Sequence, residues 1–348
     1  MNLTSAIGQI AAAQPGVRLI DMDPVIQPLE RLRAWARRMR YRREQLINTL
    51  ILRYCTRLYV DDRPRALVTL QGFRDRAERT PAWLSTLIDA TAVRVAGPAH
   101  PPLAGPPVPC EWFAPHKGEP SGHVFYVHGG SFISDRSPRL TLMVAQFAAR
   151  ANARVFAPDY RLAPEHPCPA AVEDIVAAYR WFKQHQPDEP VVALADSAGA
   201  SVLLAALQRV RDEGEALPEG IVLLSPWVDL SLQSWSVVAA SLLGSTGSTM
   251  EALGLMAHLY LQGQPATDPV ASPVFGDFSG FPPMLIHASK GDILFDDATR
   301  LADRMRDAGG DLTVRLWASE THVWERTDSS RAKESIDLAA DFIRRCLD

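Results

Sequence analysis

Ser197 closes the run Val191, Val192, Ala193, Leu194, Ala195, Asp196 and is followed by Ala198, Gly199, Ala200 and Ser201. An apolar stretch of strand length thus feeds a serine between small neighbours, and a helix-forming segment comes next. That is the sequence form of a nucleophile elbow, a sharp strand-to-helix turn. Such a turn lifts the serine oxygen clear of the backbone and aims the following helix N-terminus at a reacting carbonyl. A neutral hydroxyl attacks poorly, so a base must take its proton, and histidine titrates near neutrality. His322 is the candidate base, because it follows the last apolar run and no histidine lies beyond it. A carboxylate must then hold the imidazole tautomer and stabilise imidazolium. Asp292 is the candidate, with Asp296 and Asp297 as rivals that could instead cap a helix beginning near residue 297.

Attack on a carbonyl creates an oxyanion, which needs donors already in place. Gly129, Gly130 and Ser131 follow His128 at the end of another apolar run, where missing side chains let backbone N–H groups approach a ligand. The N–H of Ala198 is the fourth candidate donor. His128 itself reads as ordering its loop, and Asp196 and Glu165 as structural groups near the site. Phe132, Trp227, Met256 and Trp324 are candidate walls of a substrate pocket.

These residues need a scaffold. Apolar runs of strand length fall at 124–127, 154–157, 191–195, 221–224, 284–288 and 312–316, and helical patterns at 140–150, 170–184, 198–212, 298–308 and 331–346 separate most of them. Continuously apolar strands divided by helices imply a mostly parallel sheet covered on both faces. Ligands of such sheets gather at the carboxyl ends of the strands, where all four chemical segments lie. One long gap, between 224 and 284, holds a helical candidate at 250–261. The first hundred residues read as helical, with one helix starting at Thr80 as cap and Pro81 in its first turn. A Pro/Gly-rich crossing at 97–109 separates them from the rest.

At 348 residues, 47% hydrophobic and 22% charged, the chain can bury a sizeable core. A net charge of −4 provides no general case for nucleic acid. Cys55, Cys110, Cys168 and Cys346 are scattered without a C-x-x-C pair or clustered histidines, so neither a metal site nor a disulfide framework is expected. No run reaches the ~20 apolar residues of a spanning helix and no signal-peptide layout opens the chain, so a cytoplasmic location is expected. The segment carrying Arg31, Arg33, Arg37, Arg38, Arg40, Arg42 and Arg43 with Trp35 reads as a solvated amphipathic face, and alternatively as a peripheral contact with anionic lipid or a partner.

Taken together, the segments resemble the hormone-sensitive-lipase-like (bacterial family IV) carboxylesterases of the α/β-hydrolase superfamily, whose chain order is also Ser, Asp, His. The His-Gly-Gly-Gly-aromatic motif of that family is matched by residues 128–132 and its Gly-Asp-Ser-Ala-Gly motif by 195–199. The stretches from Asp159 to Pro167 and from Ser225 to Leu230 match two auxiliary signatures. The resemblance covers roughly 105–348. It implies an α/β-hydrolase fold, a catalytic domain over 105–348, and a helical cap made from 1–104 and an insertion near 235–264. It also implies cofactor-free hydrolysis of short- to medium-chain acyl esters, favours Asp292 over its rivals, and allows a homodimer through the last strand. Two positions depart from the pattern: Ala195 and Ser131 stand where the family has glycine. Two other readings of the same scaffold are a non-catalytic small-molecule receptor, against which the retained His322 argues, and an amidase or formamidase.

Overall fold

The computed structural model describes residues 16–22, 67–68, 70–72, 74–75, 80–96, 108–242 and 247–348. The arginine-rich segment from Arg31 to Arg43 and Cys55 lie outside the described residues. The described strands are β1 (Val17–Asp21), β2 (Val93–Ala96), β3 (Cys110–Ala114), β4 (His123–Val127), β5 (Arg154–Pro158), β6 (Val191–Asp196), β7 (Gly220–Leu224), β8 (Met284–Ser289) and β9 (Leu312–Trp317). They form one sheet in the order β1-β9-β8-β7-β6-β4-β5-β3-β2. All neighbours are parallel except β2 with β3 and β3 with β5.

The helices are α1 (Ala82–Thr91), α2 (Pro138–Ala151), α3 (Ala170–His185), α4 (Gly199–Asp212), α5 (Trp235–Leu242), α6 (Gly247–Leu261), α7 (Phe295–Asp307) and α8 (Ser330–Leu347). Strand alternation sends side chains to two separate cores. Phe125, Val127, Ala193, Ala195, Ile221, Leu223, Ile286 and Val314 pack with α3, α4 and α7 on one face. Val124, Tyr126, Val192, Leu194, Val222 and Leu285 pack with α2 and α8 on the other. With both faces covered, every residue of β4, β6, β7 and β8 is buried, which is why those strands read as continuous apolar runs.

Local signals explain the helix ends. Ser137 caps α2 by accepting the Leu140 N–H, Pro138 takes its first turn, and Asn152 ends it in the left-handed region at φ 51°. Ser329 caps α8 by accepting from Ala332 N–H. Other expectations need correction. The cap position of α1 is Pro81, one residue past Thr80. The stretch expected to be wholly helical contains β1 and β2, two short edge-side strands. β1 also alters the expectation for a dimer. It pairs along β9 from Val17–Leu312 to Asp21–Leu316, so β9 has β8 on one side and β1 on the other. Pairing of two copies through the last strand has no free ladder to use while β1 is docked.

Candidate active site

Strand β6 delivers Ser197 at φ 50°, a left-handed turn residue between β6 and α4. The turn is tight because α4 starts against the β4 backbone. A Cβ on Gly199 would lie 2.4 Å from the Val127 oxygen and 2.5 Å from the His128 oxygen, so only glycine fits. The Ser197 amide donates to Leu224 O (3.0 Å) and its carbonyl accepts from Trp227 N–H (3.0 Å), which fixes the turn to β7 and the loop after it. Ala195 sits one residue inside the strand, paired with Val127 and Leu223 and outside the positive-φ region. Its methyl group packs in the core with no left-handed strain.

The loops after β8 and β9 bring the other two groups to that hydroxyl. His322 Nε2 lies 2.8 Å from Ser197 Oγ, and Nδ1 lies 2.8 Å from Asp292 Oδ2. Nδ1–H donates to the carboxylate, which leaves Nε2 as acceptor for the serine proton. Asp292 is nearly enclosed and is oriented by the Leu294 N–H on Oδ1 at 3.1 Å. Its two rivals are engaged elsewhere. Asp297 Oδ2 accepts the N–H groups of Val228 (2.7 Å) and Asp229 (3.0 Å), and Asp296 accepts Ser236 N–H (2.6 Å). Burial pushes Asp297 up to about 8, against the pull of those two amides.

The glycine loop after β4 lies beside the turn. Gly129 does not present its amide to a substrate: that N–H donates to Asp196 Oδ1 at 3.0 Å, correcting the expectation for this residue. The amides of Gly130, Ser131 and Ala198 have no acceptor among the described residues. Asp196 is fully buried, also receives the Tyr126 hydroxyl at 2.6 Å, and is pushed up from the usual carboxylate range by its burial. Gly130 (φ 133°), Ser131 (φ 56°) and Phe132 (φ 66°) all have positive φ. Ser131 therefore keeps its amide at a position that glycine would occupy without the ~1 kcal/mol that a left-handed L residue costs.

The sequence pattern of the α/β hydrolase fold family matches residues 124–326. An acetyl-hydrolase of Streptomyces hygroscopicus is 36% identical over 237 residues, covering 67% of this chain and 79% of that protein. An esterase of Acinetobacter venetianus is 32% identical, covering 63% and 73%. The crystal structure of EstE7, a hormone-sensitive-lipase homologue from a metagenome library, superposes with a TM-score of 0.68 at 31% identity, over 80% of this chain and 97% of that one. This chain belongs to the hormone-sensitive-lipase-like α/β hydrolases, a family of ester hydrolases.

The remaining residues of this α/β hydrolase divide into those that reach the site and those that do not. Phe132 stacks on Tyr260 of α6 (4.0 Å between centroids) and leans on Trp227 at 5.4 Å, so Phe132 and Trp227 are joined beside Ser197. Met256, one turn before Tyr260 on α6, is half-buried against the same core. Trp324 is not with them. Its ring packs on Trp317 at 4.9 Å in a separate cluster with Ala332, which corrects its assignment as a pocket wall.

His128 orders its loop as expected. It stacks on Tyr160 (4.3 Å), Tyr160 O–H donates to His128 O (2.7 Å), and burial lowers the imidazole pKa, keeping it neutral. Glu165 is structural, paired with Arg74 at 2.7 Å. Arg74 has no distinguishing signal in the sequence. It is 5% exposed, and it donates to Ile133 O and Ala163 O at 2.7 Å each, clamping the far end of the glycine loop. Tyr126, hidden in an apolar run, was equally silent.

Proposed function

We propose that this α/β hydrolase is a serine esterase of short- to medium-chain acyl esters, with Ser197 as nucleophile, His322 as base and Asp292 as its orienting carboxylate. The observation that carries this reading is the unbroken file of hydrogen bonds, 2.8 Å and 2.8 Å, from Ser197 Oγ through the imidazole to Asp292. His322 Nε2 takes the hydroxyl proton as Oγ attacks the ester carbonyl, and Asp292 stabilises the imidazolium that forms. Negative charge on the carbonyl oxygen is met by the amides of Gly130, Ser131 and Ala198, the last at the N-terminus of α4 where the helix dipole adds to it. The imidazolium returns its proton to the leaving alcohol, and water releases the acyl group by the reverse path.

Strands β1 and β2, within the region 1–104, extend the catalytic sheet at its two edges, so that region is not cap throughout and the catalytic domain is not confined to 105–348. The insertion at 235–264 acts as the cap. Two contacts support this: Tyr260 on Phe132, and Gln262 Nε2 donating to Pro164 O at 2.7 Å. The Phe132, Trp227 and Tyr260 cluster at the serine favours small acyl groups, and one neighbour in the family was soaked with p-nitrophenyl butyrate. A panel of p-nitrophenyl esters from acetyl to dodecanoyl, with a matched butyryl anilide, tests the reading. The expected result is turnover greatest at the short and middle lengths, weak on the anilide, and abolished in Ser197→Ala. Preferential anilide cleavage, or full activity in Ser197→Ala, would refute it.

A further inference from the structure

Behind the loop that carries His322, a second polar chain lies in the apolar interior between β8 and α8. Glu325 is 1% exposed, and its Oε1 accepts the Ser335 hydroxyl proton at 2.6 Å. Ser335 Oγ in turn accepts from Nδ1–H of His287 at 2.7 Å, and both residues are wholly buried. Glu325 Oε2 and His287 Nε2 have no partner among the described residues. A second route joins the same two elements. His287 O accepts Ser225 N–H (2.9 Å), and Ser225 Oγ accepts the amide of Val323 (3.1 Å). The loop is also tied at its start, where Ser289 Oγ donates to Glu320 O at 2.9 Å.

We propose that Glu325 is a positioning residue for His322, holding the imidazole in reach of Ser197 through the buried chain to Ser335 and His287. This rests on the reading of His322 as the base. Two arguments carry it. Val323, next to His322, has φ 46°, a left-handed conformation for a β-branched residue that persists only when its surroundings over-determine it. The chain supplies that constraint three residues from the imidazole. Secondly, a carboxyl and an imidazole in an apolar interior are poor stabilisers beside apolar side chains of like volume, so stability does not account for them.

The chain is uncharged at neutral pH. Burial pushes Glu325 up to about 8, reinforced by the facing carboxylates of Asp196 and Glu320, and pushes His287 down to about 3, with Arg315 acting in the same sense.

Ester hydrolysis by Glu325→Ala, Glu325→Gln and Ser335→Ala tests the proposal, with circular dichroism and Tm to count folded molecules. A 1 Å displacement at a reacting group lowers turnover by up to ~100-fold. Glu325→Ala and Ser335→Ala are therefore expected to lose roughly 10- to 100-fold in kcat, with KM within about twofold. Glu325→Gln, which keeps a neutral acceptor for Ser335, stays within about threefold of the parent chain. Folded Ser335→Ala with parental kcat overturns the proposal, as does Glu325→Gln impaired as deeply as Glu325→Ala. Should Glu325→Ala not fold, the other two variants decide on the same terms. Loss of the underlying reading has a different signature: Ser197→Ala would retain activity.

Discussion

Replacing Gly129 by alanine perturbs the site by sterics alone, because Gly129 lies outside the positive-φ region. A methyl group there would meet Asp196 Oδ2 at 2.4 Å, Asp196 O at 2.8 Å and Ser197 Cβ at 3.0 Å. Reaching ordinary contact beyond 3.4 Å takes a shift of about 1 Å. Strand β6 cannot supply it, since it is wholly buried and paired with β4 and β7 on its two sides. The loop from His128 to Phe132 moves instead, and the Gly129 to Asp196 hydrogen bond is lost. Overpacking costs ~1–3 kcal/mol, and a buried acceptor short of its donor ~1–3 kcal/mol. Together, at roughly 2 °C per kcal/mol for a chain of this size, Tm falls by about 4–12 °C. The neighbouring amides of Gly130 and Ser131 leave their places, and losing one oxyanion donor costs ~10²–10³ in kcat. Hydrolysis of p-nitrophenyl butyrate with a thermal melt measures both. Gly214→Ala is the control: its φ is 79° with no atom within 4 Å, so it should lose ~1 kcal/mol and no turnover. Parental kcat and Tm in Gly129→Ala, or equal loss of turnover in Gly214→Ala, would refute the reasoning.

Stability should depend on pH in two opposed ways. Glu325 and Asp297, each raised by burial to about 8, bind more protons folded than unfolded between the ordinary carboxylate range and that value, so they remove stability as pH rises through it. His287 and His123, lowered to about 3 and about 4, bind fewer protons folded than unfolded, so stability grows from there up to about 6.5. Between pH 6.5 and 8 only the carboxyl effect remains, and the double variant Glu325→Gln/Asp297→Asn should show a flatter decline in denaturant-derived unfolding free energy; an unchanged slope would contradict it. Removal of residues 1–22 exposes the β9 ladder now filled by β1, and an open edge strand recruits other strands. Sedimentation velocity should then show larger species than for the full chain at equal concentration, and identical profiles would contradict the sealing role of β1.

The sequence was most legible where one physical constraint acts alone. Parallel strands buried on both faces must be apolar throughout, so β4, β6, β7 and β8 could be read from short runs, and β5 and β9 from runs with one or two polar residues. β1 and β2 escaped because edge-side strands carry exposed charges, Arg18 and Asp21 in one and Arg94 in the other, within a region of helical periodicity. Ser197 was legible from the small neighbours a sharp turn demands and His322 from its place after the last apolar run, whereas Asp292 stood out from Asp296 and Asp297 only through the family resemblance. Assignments that depended on direction were not. Which glycine amide faces the substrate is decided by the side chain of Asp196, and Trp324 points away because a short helical turn at Trp324–Arg326 follows His322. Arg74 and the His287, Ser335 and Glu325 chain are scattered in sequence, and only folding brings their partners within reach.

Covalent trapping with an organophosphate, followed by mass mapping of the modified peptide, tests the central claim most directly. One phosphoryl group per chain on Ser197, with its formation suppressed in His322→Ala, is the result expected from an activated serine at the head of this hydrogen-bonded file. An unlabelled chain, or a label on any other residue, would contradict it.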